Sequence, residues 1–181
     1  MERPAILIAH MAGLRPFDDA TLDRLDEVGR VLDREPLSDW NDDRADALLA
    51  EAEIIVGHWG TPTITAEVLD RAPKLRMFAY AAGTIKWSFT DDAWAARDLV
   101  VTSGAAANAE PVAEYTLAML LLANKRVFPA IDMMRHRDGW LPEGAPEHGN
   151  WDKTIGLVSA SLIGRRVAEL LQPFPRLPVQ I

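Results

Sequence analysis

The sequence predicts an α/β protein whose first part is built on a parallel β-sheet. Five short, mostly apolar segments alternate with helical patterns between residues 4 and 102. Strands that are apolar on both faces are typical of a parallel sheet covered by helices on both sides. A further strand, turn and helix pattern occupies residues 154–172 and predicts the start of a second α/β unit.

The first part is predicted to contain five strands and four helices. The strands cover residues 5–9, 31–32, 53–57, 75–81 and 99–102, and the helices cover residues 18–28, 42–50, 65–70 and 90–97. In the first helix, Leu22, Leu25 and Val28 share one face, and Gly29 ends the helix. The alternation predicts a flavodoxin-like parallel sheet over this part of the chain.

A long apolar helix is predicted from residue 109 to about residue 128. Asn108 is a favourable N-cap residue, and Pro129 should kink or end the helix. Apolar side chains occupy nearly every face, so we expect this helix to be buried on all sides, between domains or between subunits. Residues 139–153 contain glycine, proline and two tryptophans, and we expect them to form an ordered connecting arm.

The turn at residues 159–164 is the strongest candidate for a ligand site. Dinucleotide-binding folds carry the pattern G-x-G-x-x-G at such a turn, where the glycines allow a tight turn, close approach to the pyrophosphate and close packing of the helix. This chain has Ser159, Ser161 and Gly164 at the three positions. The preceding strand and the following helix favour a nucleotide site, and an ordinary strand-to-helix turn is the alternative.

Three stretches together resemble the NAD-dependent D-isomer-specific 2-hydroxyacid dehydrogenases. They are the turn region from Gly156 to Phe174, the opening of the apolar helix from Asn108 to Glu114, and the strand and small-residue loop at 75–84, followed by 100–103. The resemblance covers all 181 residues. It implies a flavodoxin-like substrate (catalytic) domain at residues 1–103 and the first, incomplete part of an NAD-binding Rossmann domain at residues 104–181.

The resemblance also implies which residues bind ligands. The loop Ala82-Gly83-Thr84 corresponds to the family loop whose backbone N–H groups hold the substrate carboxylate, although the usual pattern there is richer in glycine. Val112 matches a position against the nicotinamide. The pyrophosphate is expected at the turn made by Ser159, Ala160, Ser161, Leu162, Ile163 and Gly164. The family's catalytic arginine, glutamate and histidine have no counterpart here, so no catalytic residue is assigned.

Histidines that follow strands are further candidates for the substrate site. His58 and Trp59 follow a predicted strand and are candidate substrate-binding residues, with an ordinary polar loop as the alternative. His10 follows the first strand and has the same two interpretations. His136 and His148 lack partners at metal-ligand spacing, so no metal site is predicted.

Composition excludes several classes of function. The formal net charge is −8 and there is no cluster of lysine and arginine, so nucleic-acid binding is not expected. The absence of cysteine excludes a disulfide scaffold and a thiolate metal site. No apolar stretch approaches the roughly 20 residues of a membrane span, so we expect no membrane partner and a cytoplasmic location.

The expected function is NAD-dependent interconversion of a small 2-hydroxy acid and its 2-oxo acid, with NADP as the other possible coenzyme. Which acid is used stays open. The alternatives are an NAD(H)-responsive interaction protein of the same fold and an inert dimerising fragment. We also expect a homodimer through residues 109–181, and we expect the 181 residues alone, as a truncated form, to be inactive.

Overall fold

The computed structural model describes residues 3–136 and 149–181. The chain divides between Ala105 and Ala106 into two compact units. Both contain parallel strands and helices, which confirms the predicted α/β class. The assignment of the two units as substrate and coenzyme domains stays a prediction.

The first unit is a five-stranded parallel sheet with four helices. In chain order its elements are β1 (Ala5–Ala9), α1 (Asp19–Val28), β2 (Arg30–Val31), α2 (Ala45–Glu51), β3 (Ile54–Gly57), α3 (Ala66–Arg71), β4 (Met77–Tyr80), α4 (Asp91–Ala96) and β5 (Val100–Ser103). The strand order is β2-β1-β3-β4-β5, and every pairing is parallel. This order is that of flavodoxin-like sheets, as predicted.

The boundaries of α1 follow from its end residues. The Asp18 carboxylate accepts a hydrogen bond of 2.8 Å from the backbone N–H of Thr21 and so caps the helix. Leu22 is buried against the sheet, whereas Val28 is 68% exposed, so its predicted place on the buried face is wrong. At 100° per residue, Val28 lies about 120° around the helix from Leu22 and points away from the sheet.

Both faces of the central strands are buried, and the larger cluster of core residues lies on one face of the sheet. Leu7, Ile55 and Phe78 are aligned across β1, β3 and β4, and none of the three is exposed to solvent. Phe89 packs edge-to-face on Phe78, with ring centroids 5.2 Å apart. Burial of aligned side chains on three neighbouring strands fixes the register, because a slip by one residue would turn each side chain to the other face.

The second unit contains a strand–helix–strand motif packed on a long helix. Its elements are α5 (Ala105–Asn124), α6 (Val127–His136), β6 (Ile155–Gly156), α7 (Leu162–Leu170) and β7 (Val179–Gln180). Strands β6 and β7 pair in parallel, and α7 connects them. The predicted strand, turn, helix and following strand are therefore all present.

The long helix differs from its predicted limits at both ends. It begins at Ala105 rather than 109, because the Ser103 hydroxyl accepts a 3.1 Å hydrogen bond from the Ala105 N–H at its start. Asn108 consequently lies inside the helix and does not cap it. The helix ends at Asn124, before the left-handed Arg126 (φ 54°), and Pro129 lies in the first turn of α6 instead of marking the break.

Only one face of α5 is buried, so the expected burial on all sides is wrong for the single chain. Ala113 is fully buried in a cluster with Ile155 and Val167. Tyr115 on another face of the helix is 65% exposed. The apolar side chains on all faces of α5 predicted packing on every side, but the strand–helix–strand motif of a single chain covers only one face.

Most of the predicted arm, residues 139–148, lies outside the described residues, and so does His148. Its last part packs on the same chain, because the Asn150 side-chain amide donates to the Leu121 carbonyl oxygen at 3.2 Å. No helix in the described ranges has the length and hydrophobicity needed to cross a bilayer.

Candidate functional site

The loop that follows β4 lies at the carboxyl edge of the sheet, where Ala82 is buried and Gly83 and Thr84 are accessible to solvent. Ala82, Gly83 and Thr84 form this loop, and within the described residues their N–H groups donate to no protein acceptor. The Ser103 hydroxyl donates to the Gly83 carbonyl oxygen at 2.6 Å and holds the loop from the β5 side. Backbone N–H groups without a protein acceptor can donate charge-assisted hydrogen bonds to an anionic ligand. We call residues 82–84 the amide loop.

The predicted residues His58 and Trp59 lie directly beside the amide loop. They follow β3, which neighbours β4, and the Ala81 N–H donates to the Gly57 carbonyl oxygen at 2.8 Å. On its other side, the β3 loop contacts the end of β1, where the Met11 N–H donates to the Trp59 carbonyl oxygen at 3.1 Å. Parallel pairing therefore places the predicted substrate residues of two separate loops next to each other.

An aromatic cluster extends this edge towards β1. The ring of Phe17 lies between two imidazoles, with centroids 6.0 Å from His10 and 5.8 Å from His58. Trp59 packs edge-to-face on His58 at 5.1 Å and is 53% exposed. Phe17 was not identified from the sequence, because a single aromatic residue in the loop before α1 carries no periodic signal.

Hydrogen bonding assigns opposite tautomers to the two histidines. His10 is buried, and its Nδ1 lies 3.0 Å from the Met11 carbonyl oxygen, so Nδ1 carries the proton. Nδ1 of His58 is buried with no partner in the described residues. A buried ring nitrogen without a hydrogen-bond partner costs less free energy as a lone-pair acceptor than as an N–H donor. We therefore place the proton of the neutral His58 ring on Nε2. Burial, and then the nearby His10, lower the pKa of His58 below 6.5, which keeps the ring neutral at pH 7.

The segment after the amide loop carries a cation. The Thr84 hydroxyl accepts a 3.2 Å hydrogen bond from the Lys86 N–H, and the Lys86 ammonium lies 4.9 Å from the centroid of the Trp87 ring. Trp87 is 73% exposed. This cation–π pair lies on the surface.

The turn of the second unit has the backbone geometry of a glycine-rich turn. Ser159 has φ +86°, a left-handed conformation that glycine adopts without strain. A Cβ atom at Gly164 would lie 2.3 Å from the Ser159 carbonyl oxygen, so only glycine fits there. Ser161 caps α7 by accepting a 3.3 Å hydrogen bond from the Gly164 N–H.

The start of α7 is open to a ligand. Ala160, Ser161 and Leu162 are exposed, and Ile163 is partly exposed. The first backbone hydrogen bond at this end runs from the Arg165 N–H to the Ser161 carbonyl oxygen. The N–H groups of Leu162 and Ile163 therefore donate to no acceptor in the part of the chain that the structure describes. Free N–H groups at a helix N-terminus attract phosphate. The residues of this turn therefore fit a dinucleotide pyrophosphate.

Val112 is placed on α5 in the same unit as the turn. It is 37% exposed. Two residues earlier, Glu110 forms an ion pair of 2.9 Å with Arg166 of α7, which ties α5 to α7. Glu110 and Glu169 both bond to Arg166 and raise the pKa of its guanidinium. Contact between Val112 and a nicotinamide stays a prediction.

Curated relatives of this chain are dehydrogenases and reductases. No family model matches the chain. It is 33% identical over 132 residues to D-3-phosphoglycerate dehydrogenase of Mycobacterium tuberculosis, covering 73% of this chain and 24% of the relative. It is 29% identical over 161 residues to glyoxylate/hydroxypyruvate reductase B of Escherichia coli, covering 86% of this chain and 48% of the relative. The chain thus spans between a quarter and a half of these relatives' length.

Solved structures share the fold. An NADPH-dependent glyoxylate/hydroxypyruvate reductase from Sinorhizobium meliloti in complex with citrate matches with a TM-score of 0.70 at 22% identity, covering 99% of this chain and 53% of that one. A D-lactate dehydrogenase from Aquifex aeolicus complexed with NAD and lactic acid matches with a TM-score of 0.68 at 22% identity, covering 97% and 50%. These neighbours confirm a fold that includes a Rossmann unit.

Replacing Ser159 by glycine should stabilise the second unit. Glycine adopts the positive φ without a Cβ penalty, so we expect the free energy of unfolding to rise by about 1 kcal/mol. Urea denaturation followed by circular dichroism measures the change.

The matched control is Ser161→Gly in the same turn. Ser161 has φ −63° and caps the helix, so glycine there should lower stability by a few tenths of a kcal/mol. Equal effects of the two substitutions would show that the backbone at Ser159 is not strained.

Proposed function

The chain belongs to the D-isomer-specific 2-hydroxyacid dehydrogenase family, and from that premise we propose that it takes part in the NAD(P)-dependent interconversion of a small 2-oxo acid and its 2-hydroxy acid. The observation that carries the proposal is the amide loop at the carboxyl edge of a parallel sheet, where the solvent-accessible Gly83 and Thr84 have backbone N–H groups that donate to no acceptor among the described residues. The relatives act on 3-phosphoglycerate or on glyoxylate and hydroxypyruvate, by their names, and all of these carry a carboxylate next to the reacting carbon.

In the first unit, the amide loop binds the substrate carboxylate. Gly83 and Thr84 donate their backbone N–H groups to its two oxygens, while the buried Ala82 anchors the start of the loop. Such charge-assisted hydrogen bonds are about twice as strong as neutral ones. Ser103 fixes the loop through the Gly83 carbonyl, so the donors are in place before the substrate arrives. Fixed donors orient the substrate at little entropic cost.

In the second unit, the turn at residues 159–164 binds the coenzyme phosphates. Gly164 permits the close turn, and the free N–H groups of Leu162 and Ile163 hold the pyrophosphate. Val112 packs against the nicotinamide ring. The bound coenzyme would supply the hydride that reduces C2 of the 2-oxo acid while a proton goes to the carbonyl oxygen. Neighbours carry either NAD or NADP, and both coenzymes share the pyrophosphate that this turn would hold.

We further propose a homodimer and a cytoplasmic location. The exposed apolar residues of α5 and α6 supply a contact surface: Tyr115, Leu122, Phe128, Ile131 and Met134. Burying such side chains contributes roughly 1.5–3 kcal/mol each, and this surface is costly to leave in water. A chain without cysteine suits a reducing compartment.

Pyruvate should shift the backbone amide resonances of the amide loop. Pyruvate is the smallest 2-oxo acid with a methyl group, and its methyl ester is a matched control without the carboxylate charge. We expect ¹H–¹⁵N spectra of the 181-residue protein to show downfield shifts at Ala82, Gly83 and Thr84 with pyruvate only. Shifts confined to other residues, or equal shifts with the ester, would refute carboxylate binding here.

The 181 residues alone should turn over slowly. His136 is the histidine with a carboxylate partner within the described residues, and its pair with Asp132 is exposed on α6. Loss of an acid–base pair typically costs roughly 10²–10⁴-fold. NADH oxidation by the purified chain with a panel of 2-oxo acids should stay below about 1 s⁻¹. Faster turnover would contradict this expectation and would make His58 and His10 the first candidates for the catalytic residue.

Light scattering tests the dimer. We expect twice the monomer mass at micromolar concentration, and we expect Tyr115→Glu to lower the mass by placing a charge in the apolar surface. Asp132→Asn in α6, which adds no charge to the surface, is the control. A stable wild-type monomer under these conditions would contradict the proposed dimer.

A further inference from the structure

An open cavity lies between the loops that follow β1 and β2. Its volume is about 380 Å³, and its lining comes from the end of β1, from residues 13–17, from the start of α1 and from residues 34–36. The two loops diverge because α2 packs in the cluster that contains Leu7, whereas α1 contributes no residue to that cluster. Crevices outside the carboxyl ends of the strands are where open α/β sheets bind their ligands.

The floor of this cavity is apolar. Ile8 is 1% exposed and Leu22 is 8% exposed, and both line the cavity. The ring of Phe17, which also contacts His58, lines one side. Such a surface favours an alkyl group over water. The volume lies within the range of roughly 300–1,000 Å³ that is typical of sites for small molecules.

His10 adds a polar atom to the wall of the cavity. The residue is 4% exposed, and its Nδ1–H donates to the Met11 carbonyl oxygen at 3.0 Å. Nε2 has no hydrogen-bond partner among the described residues, so it is the ring nitrogen that remains for a ligand. With the proton on Nδ1, Nε2 is an acceptor, and a ligand that reaches it must supply an N–H or O–H donor.

The rim of the cavity carries charges of both signs. Arg15 is a cation and Asp19 and Glu35 are anions, and all three side chains are exposed. None of the three forms an ion pair with a group in the part of the chain that the structure describes. Arg34, the other charged residue of the lining, is already paired with Asp23 at 2.6 Å. One guanidinium and two carboxylates therefore remain for a ligand.

Opposite charges on one rim favour a ligand that carries both charges. A simple anion would be attracted by Arg15 but repelled by the two carboxylates, and a simple amine would be attracted by the carboxylates but repelled by Arg15. A zwitterion avoids both repulsions. Its carboxylate can accept two hydrogen bonds from the guanidinium, and its ammonium can donate to the carboxylates and to Nε2 of His10.

We propose that this cavity binds a free amino acid with an apolar side chain of about the size of that of leucine. Arg15 binds the carboxylate of the amino acid. Asp19 and Glu35 bind its ammonium group, and its side chain packs on the apolar floor. None of residues 82–84 lines the cavity, so this site is separate from the amide loop and goes beyond the proposed function.

Racemic leucine, 4-methylpentanoate and 3-methylbutylamine test the inference, because the second lacks the ammonium and the third lacks the carboxylate of leucine. ¹H–¹⁵N spectra of the 181-residue protein should show saturable shifts at residues 13–15 and 34–35 with leucine. The dissociation constant should be about tenfold lower for leucine than for either analogue, a difference of about 1.4 kcal/mol. Equal binding of either analogue, or shifts confined to other residues, would overturn the inference.

Arg15→Gln removes the cation of the rim and should weaken leucine binding about tenfold. Arg24→Gln makes the same substitution on α1, outside the lining of the cavity, and should leave leucine binding unchanged. Both arginines are exposed, so we expect both variants to fold, and circular dichroism checks this. Equal leucine affinities of the two variants would contradict the role of Arg15.

Glu35→Gln should change the preference among the three compounds. Leucine and 3-methylbutylamine should bind more weakly, whereas 4-methylpentanoate should bind more tightly because a repulsive charge is lost. Glu27→Gln, at an exposed position of α1 outside the lining, is the control. Weaker binding of all three compounds to Glu35→Gln would show a structural effect and would contradict the assignment of the ammonium group.

Pyruvate separates this site from the amide loop. Saturating pyruvate should leave the affinity for leucine unchanged. Competition between the two compounds would place them in one site and would overturn the inference. Leucine shifts without pyruvate shifts at residues 82–84 would reject the proposed carboxylate site and keep this inference, and the converse would reject this inference alone.

Discussion

Parallel pairing of the strands is the constraint on which the candidate substrate site depends. In a parallel sheet every strand ends at the same edge, so the loops after β1, β3 and β4 meet there although they are far apart in sequence. The hydrogen bonds from Ala81 to Gly57 and from Met11 to Trp59 continue the ladder one step beyond the strands. Beyond that step the N–H groups of the amide loop have no acceptor among the described residues.

The same geometry explains why the site needs so few charged side chains. Backbone N–H groups bind a carboxylate without the conformational entropy cost of ordering an arginine or lysine side chain. The start of α7 in the second unit likewise offers backbone N–H donors in place of charged side chains. The positive end of the helix dipole faces the open turn there.

The sequence predicted the elements well where one local signal was sufficient. Apolar segments located all five strands of the first unit, and Asp18 and Gly29 marked the ends of α1. Prediction failed where a neighbouring element decided the outcome. Ser103, at the end of β5, starts α5 four residues early, and Asn108 loses its capping role as a result. The uniform hydrophobicity of α5 gave no information on which face packs within the unit.

The candidate site was only partly accessible to sequence analysis, for a physical reason. Residues 82–84 were predicted from the family resemblance, whereas the turn at 159–164 was predicted from its strand, turn and helix pattern. The place of Phe17 in the aromatic cluster depends on its distance to His10 and His58, which lie on two other loops. The tautomers of the histidines depend on burial and on the Met11 carbonyl. Such properties arise only when the sheet is assembled.

Ser159 shows how strain and function are related in this chain. Its left-handed backbone is imposed from both sides: β6 fixes the direction of entry, and Gly164 packs so closely on the Ser159 carbonyl that the turn cannot relax. The serine therefore keeps a glycine-like conformation at a cost of the order of 1 kcal/mol. A turn held in this shape despite an unfavourable residue indicates that packing of α7 on β6, through Val167 and Ile155, determines the geometry of the turn more than the residue at position 159 does.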